Sequence, residues 1–205
     1  MQFSFDAFTL IVTLVSLIIA ITLHEMMHAY VGYRLGDTTA HEAGRISLNP
    51  LRHVDPFATI VLPIITLLIF HAPILAAKPV PFNPSRVKYE EFGAAMIAAA
   101  GPLTNLLLAA IGGVLARLFV GNPDVFNVLT IFVSLNVGLF VFNLIPIPPL
   151  DGSRVLYAFA PDGLRGLMEQ LEQYGIFIVF ALVLFVPAFT GILINLNRAI
   201  SLFLL

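Results

Sequence analysis

Long apolar runs separated by short polar breaks set the pattern of this chain. The first run extends from Ala7 to Tyr33, and polar punctuation follows from Arg34 to Pro56. A second, Phe57 to Ala77, is interrupted by Pro63 and Pro73 and closed by the polar stretch Lys78 to Glu91. The third runs from Phe92 to Val120 and ends at Gly121-Asn122-Pro123; the fourth, Val125 to Ile145, ends in the Pro-rich IPIPPLDG. A fifth covers about Tyr174 to Val186 and stops at Pro187; Gly191 to Leu205 is a last apolar piece carrying Asn195, Asn197 and Arg198. A membrane helix needs about 20 mostly apolar residues. The pattern therefore predicts an all-α polytopic membrane protein with about four to six membrane segments. A short helix is predicted from Gly152 to Phe159, with Asp151 at its N-cap position. His41 to Leu48 alternates weakly between turn-formers and predicts a short strand or one arm of a β-hairpin. The first run does not read as a signal peptide: MQFSFD holds no Lys or Arg, and no small-x-small site follows. No repeat is present and no polar segment is long enough to fold alone, so residues 1–205 are expected to form one membrane-embedded domain.

Composition agrees with this reading. Of 205 residues, 59% are hydrophobic and 11% charged, against roughly 25% charged in soluble domains. Mean hydropathy is +0.97. The net charge of −2 offers no basic surface for nucleic acid. Cysteine is absent, which excludes disulfides, thiolate metal sites and cysteine nucleophiles.

Chemistry concentrates near the end of the first run, where His24-Glu25-Met26-Met27-His28 spells HExxH. On a helix, residues i and i+4 share a face, so two imidazoles can bind one metal ion. Glu25 between them can take a proton from water. At this chain's His and Glu frequencies, chance produces one HExxH in roughly 0.3% of such sequences. Ionisable groups inside a membrane span cost about 2.5 kcal/mol or more for the charged types and mark function by default. A polar cluster merely bonded to neighbouring helices would need neither this spacing nor the intervening Glu. A catalytic zinc takes three protein ligands, and the motif supplies two. The position six residues after His28 is Arg34, so the third ligand lies elsewhere. Asp151 follows Pro146, Pro148 and Pro149, which unwind the end of a span; such backbone at membrane depth lines a buried or wet cavity. From the residues alone, metal ligand and helix cap are both open for Asp151.

HEMMH in an apolar helix is followed by GRISLNPLRHVDP, AKPVPFNP, AAGPLTN and NLIPIPPLDG. Together these motifs, which run from His24 to Gly152, resemble the site-2 protease family of intramembrane zinc metalloproteases. They are similar above all to its short prokaryotic members without PDZ or CBS domains. The resemblance implies one zinc held by His24, His28 and Asp151, Glu25 as the base, and Asn143 near the metal as a substrate-binding group. Gly101, Pro102 and Asn105 match GPxxN, for which close helix packing and substrate contact are both open. His53 and Asp55 fall in the NPLxHxDP stretch and receive no role. Larger members carry a span before the HExxH helix; none is expected here, which leaves the gating of substrate access undefined.

The implied reaction is hydrolysis of a peptide bond in or near a transmembrane segment of a membrane-protein or peptide substrate. A helical substrate must unwind locally first, and a strand edge at Gly44 to Leu48 could receive it by β-addition. A membrane metal-ion transporter is the rival function, but the third and fourth runs offer only asparagines, Arg117 and hydroxyls for a cation path. Intact Glu25 argues against a non-catalytic scaffold. The zinc ligands also constrain topology. Asp151 must meet the histidines, so the first and fourth runs end on one side. Phe57 to Ala77 must then enter and return as a re-entrant hairpin. That side holds Arg34, Arg45, Arg52, Lys78, Arg86, Lys88, Arg154 and Arg165, eight of the ten basic residues, which assigns it to the cytoplasm of a multi-pass cell-membrane protein. Thr39 and Ser85 are then expected inside, Asn122 outside, and the active site nearer the cytoplasmic face.

Overall fold

Two buried stripes, mostly of small side chains, bring the central helices together. On α1 (Ala7–Arg34) the buried positions Ser16, Ala20, His24, His28 and Gly32 recur every fourth residue. On α3 (Glu90–Leu118) Ala98, Gly101, Asn105, Ala109, Gly112 and Ala116 do the same at spacings of three and four. Small residues let helix backbones approach closely where lipid leaves no hydrophobic drive between helices. The computed structural model describes residues 6–53, 78 and 80–205. Within them α3 packs on α1, on α4 (Pro123–Asn143) and on α5 (Asp151–Phe159). The other helices are the single turn α2 (Thr39–Glu42), α6 (Asp162–Glu172), α7 (Gly175–Phe185) and α8 (Pro187–Leu204). Among the described residues the regular structure is all-helical. Helices α1, α3, α4 and α8 are long and apolar enough to cross a membrane; α6 and α7, bent by 80° at their junction, make a fifth if taken together.

Local chemistry fixes the ends. The Asp6 carboxylate accepts from the Thr9 N–H at 2.7 Å and starts α1. At its far end Gly36 adopts φ +105°, and Gly36 N–H and Asp37 N–H return to the carbonyls of Tyr33 and Gly32. This is the Schellman closure, which needs a left-handed residue at that position. Asp37, aimed by the closure, is 1% exposed and accepts from the Asn83 N–H at 2.7 Å. The end of α1 is thereby tied to the segment leading into α3. Helix α3 runs to the opposite end, turns at Asn122, whose side chain caps α4, and α4 returns. Helix α8 packs beside α4 and ends against the far end of α3. There a Cβ on Gly113 would meet the Leu204 carbonyl at 2.4 Å, and Arg117 donates to the carbonyls of Phe203 and Leu205.

The first, third, fourth and fifth expected runs are observed as α1, α3, α4 and α7 with boundaries moved by at most two residues, and the last begins four residues earlier than expected, at Pro187. The expected strand is not observed. His41 and Glu42 finish α2, Gly44 turns at φ +67°, and no strand forms among the described residues. The reason lies in the backbone: the N–H groups of Glu42, Ala43, Gly44 and Arg45 close onto carbonyls between Thr38 and His41, a helical turn that leaves them unavailable to a ladder. The buried Arg45 side chain donates to the carbonyls of Arg52 at 2.7 Å and Lys78 at 3.3 Å. The re-entrant hairpin over Phe57 to Ala77 lies outside the described residues. Its flanks do not: Lys78 N–H donates to the His53 carbonyl at 3.0 Å, so both stand at the same end of the bundle.

Candidate metal centre

His24 and His28 sit one turn apart on the buried stripe of α1, 6% and 8% exposed. His24 is ten residues before Arg34, about 15 Å inside the helix end. Each imidazole is tied on its outer nitrogen. His24 Nδ1 faces Asn105 Oδ1 at 2.6 Å, and His28 Nδ1 faces the Ile97 carbonyl at 2.7 Å. Both partners are oxygens that accept, so both Nδ1 atoms carry the proton and both Nε2 atoms keep a lone pair. Pro102, lacking an N–H, leaves the Ala98 carbonyl without its helical donor, one residue beyond the Ile97 carbonyl that His28 meets.

Asp151 closes the group. It is the first residue of α5, and the N-cap is Leu150, with no side-chain cap bond; the capping role considered for Asp151 is not what its carboxylate does. Placement comes from the backbone. A Cβ on Gly152 would lie 2.2 Å from the Leu144 carbonyl, so only glycine lets the start of α5 lie against the end of α4. Ser153 ties its hydroxyl to the Leu150 carbonyl at 2.7 Å. Asp151 Oδ2 then lies 3.2 Å from His24 Nε2 and 3.4 Å from His28 Nε2, and the two Nε2 atoms are 3.0 Å apart. Among the described residues this is the group of acids and histidines able to hold a metal ion.

Three lone-pair atoms facing one another repel. Asp151 Oδ2 is buried and has no hydrogen-bond partner. A cation resolves both problems. Zinc with bonds of 2.0–2.1 Å in a tetrahedron needs donors about 3.4 Å apart, and the observed separations of 3.0 to 3.4 Å fit it. Space is kept for an ion by Gly101: a Cβ there would lie 2.4 Å from His28 Nε2 and 2.5 Å from His24 Nε2. The GPxxN stretch thus has a role in this structure. Gly101 leaves room and Asn105 ties His24.

Glu25 is half-buried beside the group and feels the charges of His28, His24, Asp151 and His53. Asn143, the last residue of α4, donates its amide to the Leu139 carbonyl at 2.9 Å and is not part of the triangle. His41 stacks on Tyr33. His53 donates from Nε2 to the Ser47 carbonyl at 2.8 Å and is almost fully buried. His71 and Asp55 lie outside the described residues. Two cavities, about 490 Å³ and 550 Å³, open elsewhere, the first behind α5 and the second between α4 and α8; neither is lined by the triangle. Asn105 is the residue whose part the sequence did not reveal, because nothing in its spacing connects it to a histidine 81 positions earlier.

Residues 120–186 match the model of Peptidase family M50. The chain is 42% identical over 184 residues to YwhC of Bacillus subtilis, named as a candidate zinc metalloprotease; the match covers 84% of this chain and 78% of that one. MJ0611 of Methanocaldococcus jannaschii, named likewise, is 31% identical over 157 residues, 75% of each chain. Rip2 of Mycolicibacterium smegmatis, again so named, is 27% identical over 178 residues, 83% of this chain and 65% of its own. No solved structure matches.

Proposed function

The chain belongs to peptidase family M50, the site-2 family of zinc metalloproteases, and on that premise we propose that it cleaves a peptide bond in or near a transmembrane segment of a membrane-protein substrate. The observation that carries this reading is the buried donor triangle of His24, His28 and Asp151 with Glu25 beside it. Its depth, about 15 Å inside the end of α1, supports a scissile bond at membrane level rather than in a soluble loop.

In this reading one zinc per chain is held by His24 Nε2, His28 Nε2 and Asp151 Oδ2. Bound there, zinc supplies Lewis-acid chemistry, acidifying water and polarising a carbonyl. Glu25 is the base. Its carboxylate takes a proton from the attacking water, whose oxygen adds to the scissile carbonyl carbon. When the C–N bond breaks, the same carboxylic acid returns the proton to the departing amine nitrogen. Asn143, where α4 gives way to the segment bearing Asp151, is the group proposed to donate a hydrogen bond to the substrate backbone. A substrate helix hides its carbonyls in its own ladder and must unwind before any of this. On the other long helices Ser134 and Asn197 bond to each other, and Thr104, Thr130 and Arg117 bond to main-chain carbonyls, which leaves little for a transporter's cation path.

The decisive variant is Glu25→Ala. It is expected to lose proteolysis of membrane-segment peptides by about 10²- to 10⁴-fold while zinc stays bound at wild-type stoichiometry. Turnover near normal in that variant would overturn the mechanism. The end of the bundle holding Thr39 and Ser85 is assigned to the cytoplasm by its eight basic residues. Single cysteines at Thr39 and Ser85 should resist an impermeant thiol reagent applied outside, and one at Asn122 should react; labelling of Ser85→Cys from outside would reverse or break this topology.

A further inference from the structure

Three polar side chains form one hydrogen-bonded row across α1, α3 and α4. His24 Nδ1 meets Asn105 Oδ1 at 2.6 Å. Asn105 Nδ2 donates to Asn136 Oδ1 at 3.0 Å and to the Ala20 carbonyl at 3.4 Å. Asn136 Nδ2 donates to the Phe132 carbonyl, one turn back on its own helix, at 2.9 Å. Both asparagines are 0% exposed, deep in helices that are otherwise apolar.

The row has a direction. An asparagine amide has a donor end and an acceptor end of nearly equal shape, and its neighbours decide which end points where. The Phe132 carbonyl can only accept, so Asn136 turns its NH₂ toward it and its oxygen toward α3. Asn105 then faces two acceptors, Asn136 Oδ1 and the Ala20 carbonyl, and must turn its own NH₂ to them. Its oxygen is left for His24. A neutral imidazole carries one proton, and an accepting oxygen at Nδ1 holds it there. Were Asn105 reversed, its NH₂ would ask Nδ1 for a lone pair, the proton would move to Nε2, and His24 would present N–H to the metal position.

We infer that Asn136 is a positioning residue for the zinc centre: through Asn105 it selects the His24 tautomer that can bind metal. This rests on the zinc-ligand reading of His24. Simple interhelical glue would explain the two asparagines' hydrogen bonds but not why the sense of each amide ends at the ligand.

The full chain in detergent micelles tests it. Nitrogen-15 spectra of the zinc-free wild type, labelled at histidine, should show the His24 proton on Nδ1. A proton on Nε2 overturns the inference, and this measurement needs no variant. Asn136→Leu removes the stronger acceptor from Asn105 and frees it to turn. Zinc affinity, read by chelator competition, should fall about 10- to 100-fold, the usual effect of losing a group that orients a metal-bound imidazole. The His24 proton should move at least partly to Nε2. Asn136→Asp, neutral in so apolar a place, keeps an oxygen for Asn105 and an O–H for Phe132; it should restore affinity to within about threefold of wild type. A folded Asn136→Leu protein with wild-type affinity, or an Asp variant as weak as the Leu variant, refutes the role. A wild type that takes up no zinc refutes the zinc-centre reading instead, and the tautomer measurement still decides this one.

Discussion

The histidine arm of the centre and the aspartate arm are built differently. Each imidazole is gripped from behind, His24 by Asn105 and His28 by the Ile97 carbonyl, so its lone pair is aimed before any ion arrives. Asp151 has no such grip. Its Oδ2 has no hydrogen-bond partner, and its place is set by backbone contact at Gly152 and by the start of α5. A buried polar atom left without a partner costs about 1–3 kcal/mol, and the three facing lone pairs add repulsion. The histidine arm is thus prepared at the level of side chains, whereas the aspartate arm depends on how one helix docks on its neighbours.

That contrast can be broken from either side. The largest effect is expected at Gly101, where the two arms face the same gap. In Gly101→Val a side chain enters within 2.4 Å of His28 Nε2 and 2.5 Å of His24 Nε2, so zinc uptake should be abolished; stoichiometric zinc by elemental analysis would show that the gap is not where the ion sits. Asp151→Ala comes next. It should lower zinc affinity by more than the 10- to 100-fold that an orienting group contributes, with activity falling in step. Asp151→Asn should preserve α5 and still bind poorly. Full occupancy in Asp151→Ala would remove the aspartate arm from the centre and send the search for a third ligand to His53.

The smallest effect is the most local. Asp37 lies outside the membrane helices and holds the α1 end to the segment before α3. Burial pushes its carboxyl upward, but hydrogen bonds from Thr39 and the Asn83 N–H, with Arg86 nearby, outweigh that and hold it below the ordinary carboxylate value. A lowered folded-state value means that its stabilisation is fully present above about pH 4 and is lost as pH falls through the folded value. Asp37→Asn should cost about 1–2 kcal/mol at pH 7. The difference from wild type in thermal unfolding should close on acidification; a gap unchanged at pH 3 would deny the carboxylate this role.

Much of this was legible in the residue order because lipid imposes a simple rule. Apolar runs of the required length became α1, α3 and α4, and HExxH with a distant LDG, read through the family resemblance, singled out the three residues that stand together here. What stayed hidden depends on juxtaposition. Asn105 read as part of GPxxN with packing and substrate contact both open, Asn136 read as a stray amide, and no spacing within one helix shows that they meet each other and a histidine on a third. The strand expected at His41 to Leu48 failed for a local reason: alternation described the side chains, while the backbone N–H groups of Glu42 to Arg45 closed onto carbonyls between Thr38 and His41. Asp151 was open between cap and ligand because both roles favour an acid at the start of a helix; the contact at Gly152 decided its direction.

Helix α3 contributes no donor atom, yet α1 and α5 both rest on it. For a chain emerging from the ribosome this imposes a sequence of events. The histidines are made more than 120 residues before Asp151, which at 5–20 residues per second is a delay of about 6 to 25 s. Throughout that interval the triangle lacks a corner, however well α1 and α3 have already paired. The nascent protein thus holds its chemistry in abeyance until its fifth described helix has docked.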